Sequence, residues 1–125
     1  MTKVGEHITL DIIGTTKEYD PSIFEKVIND IAKAAEVTIL NISKYKFEPQ
    51  GFTILALLAE SHMSFHTFPE NGMISFDFFT CGKVNPSIAV EIIKKEFEYK
   101  RIVKKEEEKE EIQKRQTWSS KRKQK

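Results

Sequence analysis

The chain has 125 residues, enough for one hydrophobic core and too few for two independent ones. Apolar residues make up 39% and charged residues 31%, the balance of an ordinary globular domain, and a net charge of +1 leaves no global basic field to attract nucleic acid. The single cysteine, Cys81, excludes an intramolecular disulfide and a multi-cysteine zinc site, and the longest mainly apolar run, Phe52 to Ala59, is under half of the roughly 20 residues that span a bilayer.

The first six residues have neither the basic start nor the apolar stretch of a signal peptide, so a cytoplasmic protein without membrane partners is expected. His7 to Gly14 alternates as a strand that buries Ile8, Leu10 and Ile12. Asp20-Pro21-Ser22 starts a helix, with proline in its favoured first turn, and Phe24, Val27, Ile28, Ile31, Ala32 and Ala35 form its apolar face. Val37 to Phe47 reads as a second strand, residues 48–51 as a turn, and Phe52 to Glu60 as a third, more fully buried strand. Ser61 to Phe68 and Met73 to Thr80 predict a hairpin closed by Asn71-Gly72, the strongest turn signal in the chain. A two-residue loop there sets His66 across from Asp77 and His62 across from Cys81, with Cys81 close to Ser61. Asn85-Pro86-Ser87 opens a second helix over 86–97 that buries Ile88, Val90, Ile92 and Ile93. Arg101 to Val103 then forms a short edge strand.

From Lys104 onward the composition shifts. Residues 104–125 hold 9 basic and 5 acidic groups, against 11 and 14 in residues 1–103. The Lys/Glu run has no apolar face, so the expectation is one domain over 1–103 and a disordered or frayed-helical tail over 104–125, with Trp118 and Lys121-Arg122-Lys123 inside it. The order β-α-β-β-β-β-α(-β) predicts an α/β (α+β) two-layer sandwich, a mostly antiparallel sheet with both helices on one face. Phe65, Phe76, Phe78 and Phe79 crowd the central hairpin and call for a second protomer on the uncovered face.

Ser61, His62, Ser64, His66, Thr67, Glu70, Asp77, Thr80 and Cys81 gather around that hairpin. Alternation puts Ser61 and His66 on opposite faces of an unbroken strand, so direct contact between them needs a break near residue 61. Ordinary structural readings exist for each: a buried cysteine, hydrogen-bonded strand histidines, a solvated turn glutamate. No Gly-x-Ser-x-Gly elbow or glycine-rich phosphate loop is present. His62 and His66 share a strand face without converging, and no third ligand is evident in the sequence, so no metal is expected.

The string Leu58-Ala59-Glu60-Ser61-His62-Met63-Ser64-Phe65-His66-Thr67-Phe68-Pro69-Glu70, followed by Phe76-Asp77-Phe78-Phe79-Thr80-Cys81-Gly82, closely resembles the pyruvoyl-dependent S-adenosylmethionine decarboxylases of bacteria and archaea. Gly5-Glu6-His7 and Phe47-Glu48-Pro49-Gln50-Gly51 look like the same family, over about residues 5–100. The resemblance implies a proenzyme that cleaves itself between Glu60 and Ser61, leaving chains 1–60 and 61–125. Ser61 becomes a covalent pyruvoyl group that needs no metal and no pyridoxal phosphate and forms a Schiff base with the substrate amine. By the same resemblance His66 is the processing base and Thr53 an aid to the acyl shift, where relatives often carry serine. Cys81 is the proton donor, a role that suits a thiol because an ordinary one is mostly protonated at neutral pH. Phe47 and Phe68 stack on adenine and Glu70 holds the ribose hydroxyls. The assembly implied is a homodimer of cleaved protomers with sites at the interface, supplying aminopropyl groups for spermidine synthesis. Arginine or ornithine as substrate of the same machinery, and an uncleaved regulatory homologue, are the competing readings.

Overall fold

A computed structural model describes residues 3–15, 17–59, 61–81 and 83–110. The elements are β1 (Lys3–Ile13), α1 (Pro21–Ala35), β2 (Ile39–Lys46), β3 (Phe52–Leu58), β4 (Ser61–Phe68), a single 3-10 turn (Pro69–Asn71), β5 (Met73–Cys81), α2 (Ile88–Glu96) and β6 (Arg101–Glu110). The strands form one antiparallel sheet in the order β2-β3-β4-β5-β1-β6. Both helices contribute to a core against one sheet face, so the α+β sandwich is as expected.

Asp20 caps α1 by accepting a 2.9 Å hydrogen bond from the Ser22 amide, with Pro21 at the first helical position. Phe24, Val27, Ile28, Ile31 and Ala32 are buried beneath it. Each large apolar side chain among them contributes roughly 1.5–3 kcal/mol on burial. In α2 the stripe buried is Ala89 and Ile93, continued by Phe97, whereas Ile88 is exposed and Val90 and Ile92 are half-buried. The four-residue step selects that face, and Ile88 falls outside it.

Other expectations fail for identifiable reasons. The β4–β5 connection is not a two-residue Asn71-Gly72 loop: Pro69 starts a 3-10 turn, Gly72 takes a left-handed φ of 58°, and its amide donates to the Pro69 carbonyl. The ladder therefore closes at Phe68↔Met73, placing Asp77 opposite Ser64, His66 opposite Ser75 and His62 opposite Phe79. Second, Phe65, Phe76 and Phe78 lie in the core, at most 2% exposed, and do not furnish an uncovered phenylalanine face. Of the four, only Phe79 alternates onto the side away from the helices. Third, β6 extends through Glu110, so residues 104–110 are strand and not tail. Pairing with the long edge of β1, from Ile13↔Arg101 to Lys3↔Glu110, needs backbone groups and no apolar face. Trp118 and the rest of 111–125 lie outside the described residues. β3 also alternates instead of being buried throughout, leaving Leu55 and Leu57 exposed on the open face. Among the described residues no helix is long and apolar enough to cross a membrane.

Candidate active site

Strand alternation divides the sheet cleanly. Ile8, Leu10, Ile54, Met63, Phe65, Phe76 and Phe78 face the helices, and the positions between them form an open face. On that face stand Thr53 from β3, His62, Ser64, His66 and Phe68 from β4, Ser75, Asp77, Phe79 and Cys81 from β5, and His7, Thr9 and Asp11 from β1. Residues that the sequence singles out thus fall into two groups at opposite ends of the sheet, with Ser61 on the helix side of β4 beside Met63 and Phe65.

The first group surrounds the start of β4. The β3–β4 ladder ends at Leu58↔Ser61, and Ser61 is 8% exposed with its hydroxyl 3.5 Å from the Ala59 carbonyl oxygen. The β4–β5 ladder ends at His62↔Phe79, one residue after Ser61 and two before Cys81, so Ser61 and Cys81 lie at the same end of the sheet. Thr80 is fully buried, its hydroxyl 3.3 Å from the Glu6 carbonyl and 3.1 Å from that of Val84, which anchors the strand end carrying the thiol. Gly5 pairs with Cys81, and a Cβ there would lie 2.6 Å from the Thr80 carbonyl and 2.9 Å from the Phe79 ring. Only glycine lets β1 pass this close. Glu60 and Gly82, the neighbours in the two motifs, lie outside the described residues.

Beside this group a carboxylate binds three partners. Asp77 Oδ2 lies 2.9 Å from His7 Nε2 and 3.0 Å from His62 Nε2, and its Oδ1 accepts from the Ser64 hydroxyl. Burial works to raise the Asp77 pKa, but hydrogen bonds from Ser64, His7 and His62, with the field of His62, outweigh it and hold the carboxyl below its usual value. Asp77 therefore orients His62 and His7, and not His66 as the two-residue loop predicts.

The second group sits at the other end of β3 and β4. Thr53 and His66 are a cross-strand pair, with Thr53 Oγ1 2.9 Å from His66 Nδ1. Phe47 and Phe68 are 47% and 38% exposed, and Glu70 lies exposed in the adjoining turn. The Phe47 amide donates to the Gly51 carbonyl, which folds the 47–51 turn against the start of β3. A cleft of about 380 Å³ adjoins this end between α1 and the turns, lined in part by Tyr19, Phe24, Lys46, Gln50 and Thr67, though not by Phe47, Phe68 or Glu70. A shallower depression on the open face holds Thr9, Asp11, Ser64, His66, Ser75 and Asp77.

β4 runs unbroken from Ser61 to Phe68. At about 3.3 Å per residue, Ser61 and His66 are roughly 17 Å apart along one strand and on opposite faces. One chain does not bring His66 to Ser61. In the sequence His7 stands out only as part of the Gly5-Glu6-His7 string; Asp11 and Thr9 carry no local signal, because their place on the open face depends on the β1–β5 pairing across more than sixty residues.

The profile of the S-adenosylmethionine decarboxylase family matches residues 6–110. The chain is similar to an S-adenosylmethionine decarboxylase proenzyme of Prochlorococcus marinus (strain MIT 9313), 45% identical over 96 residues, covering 74% of this chain and 77% of that protein. A protein of that same description from Methanococcus vannielii is 42% identical over 85 residues, covering 66% and 70% of the two chains. Among solved structures, the adenosylmethionine decarboxylase from Aquifex aeolicus VF5 superposes with a TM-score of 0.79 at 30% identity, over 90% of this chain and 96% of the other.

Proposed function

We propose that this chain, which belongs to the S-adenosylmethionine decarboxylase family, is a proenzyme that cuts itself between Glu60 and Ser61 and then decarboxylates S-adenosylmethionine. The observation that carries the reading is the sheet order around Ser61. A cut there gives chain 1–60 strands β1, β2 and β3 with α1, and chain 61–125 strands β4, β5 and β6 with α2. β3 pairs with β4, and β1 lies between β5 and β6, so the two pieces interleave and stay assembled after cleavage.

The residues suit the chemistry. The Ser61 hydroxyl attacks the Glu60 carbonyl carbon, and the peptide bond becomes an ester. A base takes the Cα proton of Ser61, and elimination releases chain 1–60 as a carboxylate. Water then replaces the nitrogen at residue 61, which leaves as ammonia. The pyruvoyl group so formed supplies a keto carbonyl for the substrate's α-amine and an electron sink for the bond to CO2, the service that pyridoxal phosphate gives elsewhere. Cys81 holds a proton at Sγ for the carbon that loses CO2. Phe47 and Phe68 offer aromatic faces to adenine and to the sulfonium, and Glu70 accepts hydrogen bonds from the ribose. The decarboxylated product is an aminopropyl donor of the kind polyamine synthesis consumes.

The separation of Ser61 from His66 supports a homodimer in which two open faces meet about a two-fold axis. One protomer's Ser61–Cys81 end then meets the partner's Thr53–His66 end, with Phe47, Phe68 and Glu70 beside it. Exposed Leu55, Leu57 and Tyr45 on the same face gain burial in that assembly. CO2 release from carboxyl-labelled S-adenosylmethionine, measured beside labelled arginine and ornithine, tests the substrate. Release from S-adenosylmethionine alone is expected; release only from arginine or ornithine overturns the substrate while leaving the processing chemistry intact.

A further inference from the structure

We propose that His7, His62 and Asp77 form a binding site for one divalent transition-metal ion of the zinc type. One ligand atom from each of the three, a ring nitrogen of His7, a ring nitrogen of His62 and an Asp77 carboxylate oxygen, lies within 4.8 Å of the other two. The residues come from β1, β4 and β5, so three different strands converge where the sequence offers only the non-converging pair His62 and His66. The two histidine–aspartate separations, 2.9 and 3.0 Å, already approach the spacing of about 3.3 Å between neighbouring ligand atoms of a tetrahedral ion with bonds near 2.0–2.1 Å. A small withdrawal of the carboxylate opens room for the ion.

Built-in support surrounds the three ligands. The Ser64 hydroxyl donates to Asp77 Oδ1 and leaves Oδ2 aimed at both imidazoles, the outer-sphere contact that holds a ligating carboxylate in place. Phe79 fixes both rings, stacked on His62 and edge-on to His7, each with centroids 5.8 Å apart. Within one protomer the side chains are 30%, 41% and 24% exposed, so the chain itself leaves one side of the cluster open for a fourth ligand. Two imidazole nitrogens and one carboxylate favour Zn2+, Co2+ or Ni2+ over Mg2+ and Ca2+, which prefer all-oxygen shells. A bound ion ties β1, β4 and β5 together one residue away from Ser61.

The experiment is a Co2+ titration of the chelator-treated, tag-free full-length protein, followed by visible absorption and thermal unfolding, with Zn2+ as competitor. One Co2+ per chain, a saturable visible band abolished by Zn2+, and a raised Tm are expected. Ser64→Ala should weaken binding by about 10–100-fold, and His7→Gln and Asp77→Asn should each remove the saturable phase while the apo-protein still unfolds cooperatively. Absence of saturable binding to the wild-type chain at millimolar Co2+ overturns the site. Unchanged affinity in both His7→Gln and Asp77→Asn also overturns it, because the ion then binds elsewhere.

Discussion

Thr53 Oγ1 lies 2.9 Å from His66 Nδ1 across the β3–β4 ladder, yet the Ser61 that this pair is to help process begins the same strand five residues earlier, on the other face. If the partner's His66 serves Ser61, two defective chains complement each other. Ser61→Ala and His66→Ala homodimers should both stay uncleaved. Co-expressed, they form heterodimers with one complete site, and random pairing predicts about a quarter of wild-type decarboxylation. Cleavage should appear only in the His66→Ala chain. Cleavage of His66→Ala expressed alone at the wild-type rate contradicts the arrangement.

Interleaving of the two pieces makes a second prediction. Native gel filtration of processed protein should give one peak containing both chains, and separation should require denaturant. Dissociation under native conditions contradicts the pairing of β3 with β4 and of β1 with β5 and β6.

Asp77 links fold stability to acid. Its folded pKa is depressed, so its contribution is fully present above the unfolded value near 3.9 and disappears as pH falls through the lower folded value. With chelator present, the Tm difference between wild type and Asp77→Asn should be present at about pH 5 and shrink below about pH 4. A difference that grows on acidification contradicts the direction.

Much of the fold is legible because each element states its own period: α1 from Asp20-Pro21 and the Phe24–Ala32 stripe, β1 from Ile8, Leu10 and Ile12. Register was not legible, since Asn71-Gly72 signals a tight turn and Pro69 two residues upstream lengthens it. That two-residue slip in pairing moved Asp77 from His66 to His62 and Ser64. The phenylalanines misled in another way: hydrophobic type says that a residue is buried, but only the strand register says on which face. Ser61, Cys81, Thr53 and His66 stood out as motif residues, whereas their division between two ends of the sheet follows from pairings no local window contains.

The strand nature of 104–110 also escaped, because Lys and Glu carry no burial signal and backbone pairing to β1 is sequence-blind. Truncation after residue 103 should therefore lower Tm relative to truncation after residue 110 and expose the β1 edge to association. Equal Tm and equal solubility of the two truncations contradict a structural β6.

If Ser61 is consumed in a self-cleavage, the intact mass of the protein under denaturing conditions reports it. Two chains are expected, 1–60 and 61–125, the second lighter by one ammonia than a serine-started chain, and a Ser61→Ala variant should stay whole. A wild-type protein that remains a single 14.5 kDa chain after prolonged incubation contradicts it.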